Sequence, residues 1–171
     1  MKIKYFFFVL VLGILPALNP LFAQKKDATF ASVKLQTLQG ETTRLLNYFG
    51  DITIINFWST WAAPCVKEMP ALEKIYREYH GQNIKVVGIS VYSDPTKITK
   101  MLRLTKVSYP ILIASKAQTA HFGNLSSIPQ TLIVDANGRI LKRFEGGQSF
   151  QTLNAALESL LTNKIISRNN N

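Results

Sequence analysis

Two spacings of apolar residues alternate through the middle of this chain. From Ile52 to Phe57 the run Ile-Thr-Ile-Ile-Asn-Phe is β-branched, mostly apolar and uncharged. So short and continuous a run predicts a strand covered on both faces of a parallel sheet. From Val66 onward apolar residues fall three or four apart, at Met69, Leu72, Ile75, Tyr76 and Tyr79, the period of a helix packed on that sheet. The helix starts near Ala62 to Pro64, because a proline is tolerated in a first turn whose N–H groups have no intrahelical partner. Pro70 removes a backbone hydrogen bond inside it and predicts a kink. His80-Gly81 ends it, with His80 facing water as a helix C-terminal residue and not as a ligand. Ile84 to Val91 repeats the strand pattern, and two such strands joined by a helix make a parallel βαβ pair.

The flanking segments are less regular. Phe30 to Leu38 alternates loosely, Gln39-Gly40-Glu41 turns, and Thr42 to Tyr48 returns, a hairpin that extends or covers the sheet. Ser93-Asp94-Pro95 starts a second helix over Thr96 to Leu104, with Asp94 as cap. Tyr109 to Ile113 is a short strand, and Ser115 to Phe122 a brief helical turn ended by Gly123-Asn124. Gln130 to Val134 and Arg139 to Phe144 pair across Asp135-Ala-Asn-Gly138, where Asn-Gly suits a turn with positive φ at both central residues. Gly146-Gly147 breaks the chain before a last helix over Ser149 to Leu161, its inward face Phe150, Leu153, Ala156, Leu157 and Leu160. No repeat is present.

The two ends read differently. Residues 1–23 join a basic start, Lys2 and Lys4, to an apolar run from Tyr5 to Leu15, and Leu21-Phe-Ala23 offers a cut site. That is the composition of a secretory signal peptide cleaved after Ala23. An uncleaved membrane anchor is the alternative, although Pro16, Asn19 and Pro20 leave the apolar run short for a bilayer. Residues 24–163 form one domain, and 164–171 is a tail whose end, Ser167 to Asn171, lacks apolar period and is expected to be disordered. An exported protein of the periplasm or cell envelope follows. Losing Lys2 and Lys4 lowers the net charge from +10 to +8. The basic residues are scattered and not interleaved with aromatics, which gives nucleic-acid binding little support. There is no glycine-rich phosphate loop, and His80, His121 and Cys65 lack ligand spacing, so neither a metal nor another cofactor is expected.

The chemistry concentrates at the junction of the first core strand and its helix, F-W-S-T-W-A-A-P-C-V-K-E-M-P over Phe57 to Pro70. This stretch resembles the active-site region of the thioredoxin fold, closest to the periplasmic TlpA/ResA-like thiol–disulfide oxidoreductases, whose pattern is F-W-x-x-W-C-x-x-C-x-x-E-x-P. The resemblance covers about Phe30 to Leu161. It implies an α/β fold: a thioredoxin-like three-layer α/β/α sandwich around a mixed sheet, with an N-terminal β-hairpin and a strand–helix insertion over Ile84 to Leu104. It implies that Ser127-Ile128-Pro129-Gln130-Thr131 is the loop facing the helix tip, with Pro129 cis and Ile128 offering backbone groups to a substrate strand. Trp61 and Pro64 join Ile128 and Pro129 as substrate-binding positions. Glu68 matches a glutamate that tunes the thiols, the plainer account being an acid stabilised by the dipole of a first helical turn. Asn56 is expected to be a hydrogen-bonded polar residue of the strand.

One signature position departs. The family's attacking cysteine falls on Ala62, and Cys65, at the second position, is the only cysteine of the chain. A thiolate at a helix tip is favoured by the unpaired N–H groups and the dipole. A second thiol three residues on releases the substrate by forming an internal disulfide. One thiol accepts a mixed disulfide but closes no internal one, so dithiol turnover is expected to be impaired or absent. Cys65 is expected to be mainly a packed thiol, with slow monothiol reactivity or intermolecular pairing left open. Three readings stand: a family activity disabled by Ala62, a binding module for extended or thiol-bearing polypeptides, and a monothiol enzyme acting through Cys65. The resemblance implies protein thiols or disulfides as partners, with a membrane-bound electron donor.

Overall fold

The computed structural model describes residues 31–123, 125 and 127–169; the stretch 1–23, expected to be a signal peptide, and Phe30 lie outside them. Strand β3, Ile52–Trp58, is buried at all seven positions, as its uncharged sequence requires. It pairs in parallel with β4, Ile84–Val91, from Ile52 opposite Ile84 to Trp58 opposite Ser90. On its other side it pairs antiparallel with β6, Gln130–Asp135. β5, Ile111–Ala114, continues the parallel set beside β4. The leading hairpin, β1 (Lys34–Thr37) and β2 (Thr42–Arg44), adds beyond β5, and β7, Ile140–Glu145, closes the opposite edge. Among the described residues these make one seven-stranded mixed sheet, ordered β2-β1-β5-β4-β3-β6-β7. The hairpin therefore extends the sheet, with shorter strands than the alternation suggested, because Leu45–Tyr48 turns into a 3-10 helix.

Side chains alternate between sheet faces, and in β3 this sorts the core. Ile52, Ile54 and Trp58 face helix α1, Ala63–Glu78, and pack with its Met69, Leu72 and Ile75. The same layer holds Ile98 of α2, Pro95–Thr105, and Leu153, Ala156 and Leu157 of α4, Phe150–Asn169. Ile55 and Phe57 face the other way, into a core with Val87, Ile89, Leu132 and Val134. That face is covered by thinner pieces: Leu45 from the 3-10 helix, and Phe122 from the turn that follows α3, Lys116–Thr119. The three-layer arrangement is thus lopsided, with the long helices on one side.

Local signals act as their chemistry dictates. Asp94 caps α2, its carboxylate accepting from the Thr96 N–H at 2.8 Å. Ser115 and Gln118 form a reciprocal capping box on α3. Two details differ from the sequence reading. In the β6–β7 turn only Gly138 has positive φ, at 81°. Asp135 Oδ1 accepts from the Asn137 and Arg139 N–H groups, each at 2.9 Å, and holds Asn137 out of the left-handed region. Helix α4 runs to Asn169, beyond Leu161 and over most of the stretch expected to be a tail. No Gly or Pro follows Gly147 to stop it, and propagation is cheap once a helix is nucleated.

Candidate functional site

Parallel strands β3 and β4 end at the same edge of the sheet, and α1 begins there after Ser59 to Ala62. Since β6 runs antiparallel with Gln130 opposite Phe57, the residues just before it arrive at that edge too. Register alone therefore brings Ile128-Pro129 beside the tip of α1. The peptide bond between them is cis, and Ile128 packs against the core cluster that contains Ala62 and Cys65. The Pro129 carbonyl accepts from the Gly146 N–H at 2.9 Å. The approach to Gly147 is close: a Cβ there would stand 3.3 Å from the Pro64 carbonyl oxygen.

The tip itself is fastened from below. Ser59 donates its hydroxyl to the Val91 carbonyl, and the Thr60 N–H donates to Ser93 Oγ at 2.9 Å. Ala62 is the N-cap of α1, with Pro64 in the first turn and exposed. Trp61 stands out into solvent, 68% exposed, whereas Ala62 is only 6% exposed and Cys65 1%. The position that the resemblance gives to an attacking sulfur is thus itself buried. Burial pushes the Cys65 thiol up from its ordinary 9.0 to about 11, against a lowering hydrogen bond from the Ser59 backbone and with a further push from the nearby Glu68. The helix tip does not make this sulfur acidic, because desolvation outweighs the dipole at the third helical residue.

Glu68 corrects the plainer sequence account. It lies past the first turn of α1 and is 2% exposed, so it is no surface acid at a helix N-terminus. Its Oε2 accepts from Asn56 Nδ2 at 2.9 Å, and its Oε1 from Thr131 Oγ1 at 3.2 Å and from the Gln148 N–H at 3.1 Å. Asn56 also donates to Thr131 Oγ1 at 2.8 Å. Burial raises the Glu68 pKa above 4.5, while the donors from Gln148, Asn56 and Thr131 draw it back. One carboxylate thereby ties together α1, β3, β6 and the loop before α4. The structure brings together Cys65, Ala62, Glu68, Asn56 and Ile128; Trp61 and Pro64 sit on the exposed rim. Gln148 was missed from sequence, and Thr131, named there only as part of the loop, was given no role although it stands directly opposite Asn56 in the register of β3 and β6. Gln148 contributes a backbone group, which no side-chain pattern announces. Among the described residues no cluster of His, Cys, Asp or Glu could hold a metal ion.

The AhpC/TSA family model matches residues 27–143. The chain belongs to the AhpC/TSA family. Within it, the chain is similar to the thiol-disulfide oxidoreductase ResA of Geobacillus thermodenitrificans, 29% identical over 126 residues, which cover 74% of this chain and 72% of ResA. It is 38% identical over 110 residues to the thioredoxin-like protein YneN of Bacillus subtilis, covering 62% of this chain and 63% of YneN. A crystal structure of a thioredoxin-family thiol:disulfide interchange protein from Chlorobium tepidum superposes with a TM-score of 0.67 at 22% identity, over 75% of this chain and 92% of that one. The fold is thioredoxin-like, and the similarity extends to thiol–disulfide oxidoreductases such as ResA.

Proposed function

We propose that this chain is a cell-envelope protein of the thiol–disulfide class that receives extended or thiol-bearing polypeptides at the Ile128-Pro129 loop but does not complete a dithiol cycle. The observation that carries this is the pairing of Ala62 at the helix N-cap with a buried Cys65. In a full cycle one thiolate attacks a substrate disulfide, one substrate sulfur leaves as thiolate, and a second protein thiol then displaces the other to form an internal disulfide. Two electrons pass to the substrate, and both protein sulfurs are needed. Here Cys65 Sγ has only the first half of that exchange open to it, and its adduct waits for an external thiol. Its burial and raised pKa lower the thiolate fraction even for that half.

Protein thiols or disulfides are the partner class, and a membrane-bound electron donor would be needed only by a chain that cycles. The envelope location rests on the basic-then-apolar composition of residues 1–23. Reduction of insulin disulfides by dithiothreitol, followed with the unmodified chain, Ala62→Cys and Cys65→Ser, tests the reading. The expected result is background rate for the first and third and acceleration by the second. Acceleration by the unmodified chain that vanishes in Cys65→Ser would instead establish a monothiol enzyme.

A further inference from the structure

Beside the helix tip, and outside the Cys65–Glu68 group, lies an open groove of about 420 Å³. One wall is Trp61 and Tyr92, 68% and 51% exposed; the other is the face of α2 that carries Lys97, Lys100, Met101 and Leu104. These helix positions fall three or four apart and so form one stripe. It mixes exposed apolar surface, Leu104 being 69% exposed, with two lysines. The only acid in the lining, Asp94, is engaged as the α2 cap. Tyr92 is held at φ 54°, a left-handed conformation that costs a bulky residue energy, with its hydroxyl 3.3 Å from Thr119 Oγ1. Strain of this kind persists where the surroundings fix it, and here it sets an aromatic ring along the groove. The Thr60–Ser93 hydrogen bond ties this wall to the helix tip, and Trp61 directly precedes Ala62.

We propose that this groove seats an acidic, apolar-bearing stretch of the partner polypeptide and holds it next to position 62. The inference deepens the functional reading above and rests on it for the partner being a polypeptide. From Lys97 to Leu104 the helix rises about 10 Å, the length of about three extended residues. A large apolar side chain fits between Trp61, Tyr92 and Leu104, and flanking carboxylates meet Lys97 and Lys100. The balance of charge favours a negative partner, since the lining sets two lysines against one carboxylate, Asp94, which caps α2 and lies near Lys97.

The test uses the unmodified full chain and short dye-labelled peptides that differ only in a central Glu-Leu-Glu, Lys-Leu-Lys or Glu-Ser-Glu. The Glu-Leu-Glu peptide binds tightest, and binding weakens as salt screens the charges. Lys97→Glu with Lys100→Glu weakens it about tenfold. Arg103→Glu with Lys106→Glu, which makes the same net change off the groove, weakens it about twofold or less. Trp61→Ala costs about tenfold. All five side chains are exposed, so these variants keep the fold, which circular dichroism checks. Equal affinity for the acidic and basic peptides, or equal loss in the two charge-reversal doubles, overturns the proposal. Binding is read without turnover, so a failure of Ala62→Cys to reduce insulin would count against the functional reading and not against the groove.

Discussion

At Cys65 and Glu68, burial rather than position on the helix decides the chemistry. A thiol in the first turn of a helix is ordinarily drawn toward its thiolate, yet Cys65 is pushed up to about 11 by desolvation. Alkylation by iodoacetamide is therefore expected to be slow at neutral pH and to rise toward a midpoint near 11 in the folded chain. A midpoint at or below 9.0 would show the sulfur to be better solvated than the structure places it. Glu68 has its folded pKa raised above 4.5. A carboxyl that holds its proton more tightly when folded contributes stability that is whole below its unfolded pKa and is lost as pH rises through the folded one. The unfolding free energy of the unmodified chain minus that of Glu68→Gln should accordingly fall as pH rises from 4.5 toward neutrality. Urea titrations at a series of pH values read this difference, and a flat or rising one would contradict it.

Among the elements, the sheet centre is packed against change. Gly88 in β4 sits where a Cβ would come 2.6 Å from Ile111 Cδ1, 3.1 Å from Trp58 Nε1 and 3.2 Å from Tyr109 Cε2. Gly88→Ala should lower stability by about 1–3 kcal/mol through overpacking, seen as a lower urea midpoint with an unchanged slope. The strands and helices around that glycine were largely legible beforehand, because an uncharged β-branched run and a three-to-four apolar spacing each admit one packing. The cis-proline loop was legible from its resemblance. The Glu68 network was not, since it depends on Asn56 and Thr131 meeting across antiparallel strands 75 residues apart. Nor was the turn at Asp135, where a side-chain carboxylate outcompeted the Asn-Gly preference. The end of α4 escaped for a plainer reason: apolar period marks where a helix packs, not where its backbone stops.

For the molecule as a whole, the loop and groove proposed to receive a polypeptide are in place, while only one of the two thiols that a dithiol cycle needs is present. The register of β3, β4 and β6 still delivers the Ile128-Pro129 loop to the tip of α1. Trp61, Tyr92 and α2 still frame a groove beside it. Within this frame the chain's one cysteine thiol, Cys65, is buried. The most direct measurement is the multiple-turnover rate on a peptide disulfide in excess, for the unmodified chain against Ala62→Cys under one reductant. Ala62→Cys should be faster by at least about tenfold, since it alone can close the internal disulfide, while the unmodified chain stays at the rate of reductant alone. Equal rates above that background would contradict the account.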